Sequence, residues 1–146
     1  MQSLLLTQFH PIKYTLEFTS NKKSSNLVAK LHITGRKMAP PSKRISLHQK
    51  SIRITNAKII HKTKKGPLEH EIIRINYLPT FQEVRIHTKQ ILYPGEYEVV
   101  LEYRLSEENI AELKKLRDGN KNPSRELLPS IDEPEAWAKA FFEIKQ

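Results

Sequence analysis

The chain has 146 residues, with 25 Lys and Arg against 16 Asp and Glu, a formal net charge of +9, and no cysteine. That length suits a single domain over 1–146, and 38% hydrophobic with 28% charged residues suits a folded soluble chain rather than a disordered one. The lack of cysteine excludes disulfides, thiolate metal ligands and cysteine nucleophiles and favours the cytoplasm, and Leu4-Leu5-Leu6 is too short for a signal-peptide core or a membrane span.

After Pro11, the stretch Ile12 to Phe18 alternates apolar and polar residues, which buries one face of a strand and wets the other. Leu27 to Ile33 repeats the pattern after a polar turn. Pro40-Pro41 cannot join a ladder and predicts a loop. Ile45 to His48 and Ser51 to Ile54 follow as two short strands or one bent one, then Ala57 to His61. The run K-T-K-K-G-P-L from Lys62 to Leu68 reads as a basic hairpin tip turning at Gly66-Pro67, with Glu71 to Tyr77 as its returning strand. Val84 to Ile86 and Tyr97 to Tyr103 alternate again.

A helix is expected near 106–118: Ser106 caps it, Glu107 and Glu108 sit at its positive end, and Ile110, Leu113 and Leu116 form one apolar stripe. Asp132-Glu133-Pro134 then reads as a sharp corner leading to a final strand over Ala140 to Ile144. The fold class is therefore all-β: a saddle-like sheet or β-sandwich of seven or eight short, mostly antiparallel strands, with one helix.

Charge is uneven along this order. From Phe18 to Leu68 there is no acid against thirteen Lys and Arg, whereas residues 69 to 146 carry eleven bases and fifteen acids. The first half predicts a cationic surface, including Lys43, Arg44, Lys62, Lys64 and Lys65, suited to an acidic partner or a phosphate backbone. Phe18 is the only Phe, Tyr or Trp in that span, so nucleic acid is the less favoured partner.

Catalytic patterns are sparse. His70-Glu71 begins the zinc-peptidase pattern H-E-x-x-H, but Arg74 stands where the second histidine is needed. The other histidines show no ligand spacing. There is no G-x-S-x-G, and four glycines provide no phosphate cradle. Asp132, Glu133 and Glu135 cluster at a predicted helix start, where carboxylates cap more often than they catalyse.

Four segments in order resemble the N-terminal domain of the aminopeptidase N-like (gluzincin) zinc aminopeptidases. Pro11-Ile12-Lys13-Tyr14-x-Leu16-x-Phe18 is similar to the family's P-x-x-Y-x-L-x-L strand, and Ile45-x-Leu47-His48-x-x-x-Ile52-x-Ile54 to its I-x-L-H-x-x-x-L-x-I segment. Leu92 to Tyr103 resembles the L-x-x-G-x-Y-x-L-x-I-x-Y hairpin. Arg125-x-x-Leu128-Pro129-x-x-Asp132-Glu133-Pro134 resembles A-R-x-x-F-P-x-x-D-E-P, followed by Phe142-Glu143-Ile144.

The resemblance implies a non-catalytic β domain that helps shape a substrate cleft, with a catalytic domain in cis or in trans as partner and a peptide as possible ligand. No cofactor is expected in this chain, since zinc belongs to a catalytic domain not contained in it, and no membrane partner is expected. Arg125, Pro129, Asp132, Glu133 and Pro134 become the architectural corner and a domain interface. Asp118 and Asn120 align with the family's substrate-amine anchor, although the predicted helix replaces the strand and loop usual there. The chain stops just after the D-E-P block, where relatives continue with further strands. The alternative expectation is a stand-alone basic β module that binds an acidic protein or nucleic acid.

Overall fold

In a computed structural model, the described residues are 9–20, 26–38, 40–48, 52–106 and 141–145. They form nine strands: β1 (Phe9–Ser20), β2 (Asn26–Lys37), β3 (Ser42–His48), β4 (Ile54–Thr63), β5 (Gly66–His70), β6 (Ile72–Leu78), β7 (Glu83–Leu92), β8 (Gly95–Ser106) and β9 (Phe141–Lys145). A short 3₁₀ turn at Pro79–Phe81 joins β6 to β7. The strands make a six-stranded sheet in the order β5-β4-β8-β2-β1-β9 and a three-stranded sheet in the order β3-β7-β6. All neighbours are antiparallel except β9, which runs parallel to β1. The described residues are thus all-β, as the alternation predicts, and their sheets do not close into a barrel.

Period-two alternation decides which face each strand buries. In β2, Ala29, Leu31 and Ile33 point inward and Lys30, His32 and Thr34 outward; in β8, Tyr97, Val99, Leu101 and Tyr103 are fully buried. The small sheet contributes Ile45, Leu47, Val84, Ile86 and Leu92 to the same buried cluster. Burying each such aliphatic side chain stabilises the fold by about 1.5–3 kcal/mol, so apolar contact between the two inner faces is the main cohesive term. One polar clamp adds direction: Tyr77 Oη of β6 accepts from Ile54 N of β4 at 2.8 Å and donates to Ile54 O at 3.4 Å.

Two expectations need correction. Glu71 to Tyr77 is not the returning strand of the basic hairpin. That strand is β5, which pairs Gly66 with Thr63 and His70 with Ile59, and the chain then crosses at Glu71 into the other sheet as β6. The turn occupies Lys64 and Lys65, and Gly66 takes a φ of 115° that side chains rarely tolerate. This extra strand is one reason the count exceeds seven or eight. Of the strand expected over Ser51 to Ile54, Ile52 and Arg53 lie outside any ladder and Ile54 opens β4, while Ser51 lies outside the described residues. The helix expected near 106–118 lies outside the described residues apart from Ser106, the last residue of β8. The final strand falls at Phe141–Lys145, one residue beyond its expected position.

Candidate functional site

The registers on either side of β7 create a cleft. Between the pairs Ser42 with Leu92 and Arg44 with His87, β3 advances two residues while β7 advances five. The surplus falls over Thr88 to Ile91, where Thr88 stays buried and Lys89, Gln90 and Ile91 are exposed, and such irregularities often re-aim side chains beside functional sites. Two bonds hold the bulge: Thr88 Oγ1 donates to Gln90 O at 2.8 Å, and Lys89 N donates to Glu71 O at 2.9 Å. Opposite stands the β4–β5 hairpin. The space between has a volume of about 430 Å³, with Lys43, Lys89, His61 and His70 among the residues that line it. Leu68, Ile91 and Tyr93 supply its apolar lining.

The aromatic wall is ordered from the β8 side. His61 stacks on Tyr97 with ring centroids 4.2 Å apart and planes 13° from parallel, while His70 lies 6.3 Å from His61. Tyr97 Oη donates to Tyr93 O at 2.6 Å. Burial pushes the Tyr97 hydroxyl up to about 12, partly opposed by that bond, so it stays a neutral donor. At Gly95 an added Cβ would lie 2.8 Å from His61 Nε2, so the glycine leaves room for the stacked ring. His70 is only 6% exposed, and neither ring nitrogen has a hydrogen-bond partner among the described residues. Its pKa is lowered first by burial and then by the neighbouring His61, which keeps it a neutral imidazole with one donor and one acceptor.

The expected basic surface divides into three parts. Lys43 lines the cleft. Lys62, Lys64 and Lys65 project into solvent from the β4–β5 hairpin. Arg44 belongs to the outer face of the small sheet, where it stands in one row with His87 and Arg74, and Arg85 lies in the next row beside Ser46 and Asn76. His87 has its pKa lowered by burial and then by Arg74, Arg44 and Arg85, and its Nε2 lies 3.3 Å from Asn76 Nδ2. Arg74, Arg85 and His87 were not among the sequence candidates. Their two-residue spacing along β6 and β7 was the available signal, but without the pairing it did not show that they share a face with Arg44.

In the sequence His70 fails the H-E-x-x-H pattern at Arg74 and His61 shows no ligand spacing, yet the hairpin brings the two onto one face. A two-residue turn at Lys64-Lys65 sets Ile59 opposite His70 and His61 opposite Leu68. Among the described residues no group of three or more His, Asp or Glu side chains is placed to hold a metal ion. Arg125, Pro129, Asp132, Glu133, Pro134, Asp118 and Asn120 all lie outside the described residues. Among the described residues no helix is long and apolar enough to cross a membrane. No protein-family model matches this chain, and no curated protein matches it significantly.

Proposed function

We propose that this chain is a non-catalytic β module that packs beside a catalytic partner, in the manner of the N-terminal domain of the aminopeptidase N-like zinc aminopeptidases. The observation that carries this reading is the pairing of β9 with β1. The strand after the D-E-P block lies parallel to the strand containing Pro11 to Phe18, with Tyr14 opposite Phe142 and Leu16 opposite Ile144. The first resembling segment and the residues Phe142-Glu143-Ile144 that follow the last one are therefore neighbours in one sheet, and the third segment, in β8, lies one strand beyond β2. In this reading the module supplies a rigid wall and its partner supplies zinc, the catalytic groups and the peptide substrate. A cytoplasmic location belongs to the same reading and rests on the cysteine-free composition.

The test is an aminopeptidase assay of the purified chain with aminoacyl amides and added zinc. The reading expects no turnover. Release of N-terminal residues that a chelator abolishes and that persists through stringent repurification would overturn it.

A second reading, a stand-alone basic module for polyanions, is favoured by the row Arg44, His87 and Arg74 on the small sheet. It requires salt-dependent binding of nucleic acid, measured by fluorescence anisotropy at about 50 mM salt, and fails if none is seen.

A further inference from the structure

The cleft between the β4–β5 hairpin and the β7 bulge combines features that packing alone does not require. His70 is 6% exposed, and both its ring nitrogens lack a protein partner among the described residues. A buried polar group without a partner opposes folding, and a leucine or phenylalanine would fill the same place without that cost. Both nitrogens are closed to solvent, so a ligand reaches one only if the ring turns toward the cleft, and that turn would supply the partner it lacks.

The walls indicate what kind of ligand. Leu68 is 51% exposed, Ile91 40% and Tyr93 57%, so three large apolar side chains surround one concave space. Lys43 and Lys89 add two cationic side chains to the same lining. The acid that approaches Lys89 is Glu71, at 3.8 Å, and both side chains are about two-thirds exposed, a pairing too solvated to neutralise the cleft. A volume of about 430 Å³ lies in the range of small-molecule sites.

We infer that this cleft binds a small amphipathic anion. A carboxylate or phosphate head meets Lys43 and Lys89 and hydrogen-bonds to His70 once its ring has turned toward the cleft, and the apolar body covers Leu68, Ile91 and Tyr93. The amines provide charge complementarity, the apolar lining excludes water from the contact, and the imidazole fixes orientation. This inference stands whether or not the chain serves a peptidase.

Calorimetric and NMR titrations of the full chain test it with four probes: octanoate, phenyl phosphate, inorganic phosphate and octanol. At least one of the first two should saturate with a Kd below about 1 mM and shift the ring resonances of His61 and His70. Which of them binds separates a carboxylate from a phosphate head. Inorganic phosphate lacks the apolar body and octanol the charge, so each should bind at least about tenfold more weakly. The exposed double substitution Lys43→Ala with Lys89→Ala should weaken binding about tenfold, while Arg74→Ala on the outer sheet face leaves it unchanged. The inference is overturned if neither amphipathic anion saturates by about 10 mM or if octanol binds as tightly as octanoate. Binding that survives the double substitution, or that Arg74→Ala removes, would place the ligand elsewhere and overturn it equally.

Discussion

On the outer face of the six-stranded sheet, bases meet acids across the strands, whereas on the outer face of the three-stranded sheet they meet other bases. In the large sheet Lys30 and Arg36 of β2 stand opposite Glu102 and Glu96 of β8, and Lys30 also faces Glu17 of β1. His32 lies between two carboxylates, with Nδ1 2.6 Å from Glu98 Oε1 and Nε2 3.3 Å from Glu17 Oε2. In the small sheet the corresponding row is Arg44, His87 and Arg74, with Arg85 nearby. The acid in contact there is Glu83, whose Oε1 accepts from Arg85 Nε at 3.0 Å. The lesson concerns how charge is distributed. The acid-free first half of the sequence does not fold into one cationic surface, because β8 comes from the acid-containing half and pairs directly with β2 and β4. The three-stranded sheet lacks such an acidic strand.

The contrast is broken most severely by reversing a charge on the compensated face. Glu98→Lys removes the 2.6 Å partner of His32 from a half-buried position and leaves a cation among cations. It should cost about 1–2 kcal/mol in urea denaturation. A loss no larger than that of an exposed lysine-to-alanine control would show that the compensation is nominal.

Acidification should have a smaller effect, acting through His87 on the other side of the comparison and through His70 of β5 in the cleft. His87 and His70 both have folded-state pKa values below 6.5. The unfolded chain therefore takes up protons first as pH falls. The stability they contribute is complete above about pH 6.5 and is lost as pH drops through their lower folded values. Urea midpoints at pH 7.5 and 5.0 should differ in that direction, and His87→Gln should flatten the slope. An unchanged slope in that variant would mean that the neighbouring guanidinium groups do not act on His87.

The smallest effect is expected from Arg74→Glu, which places an acid among Arg44, Arg85 and His87. On an exposed face it should stabilise by a few tenths of a kcal/mol in low salt, and about 0.5 M salt should erase the gain. A destabilised variant would show that Arg74 makes a favourable contact there rather than suffering repulsion.

How legible this was in the sequence depended on whether alternation or pairing set the outcome. Ile12 to Phe18, Leu27 to Ile33 and Tyr97 to Tyr103 fall within β1, β2 and β8 because each buries one face of a long strand, and alternation records that directly. The crossing at Glu71 was hidden because Ile72 to Leu78 fits a hairpin strand as well as a strand of another sheet. Which sheet receives it is decided by tertiary contact with β7. The bulge over Thr88 to Ile91 was equally hidden, since extra residues show only against the register of β3. Half of the cleft was recoverable: a two-residue turn at Lys64-Lys65 implies that His61 and His70 share a face, whereas an expected tip spanning Lys62 to Leu68 left their register undefined.

The central claim, that this module accompanies a catalytic partner, is tested most directly by mass spectrometry of the native polypeptide together with everything that remains bound through gel filtration. The account predicts peptides bearing H-E-x-x-H, either on the same polypeptide beyond Gln146 or on a stoichiometric companion. A polypeptide that ends at Gln146 and migrates alone would contradict it.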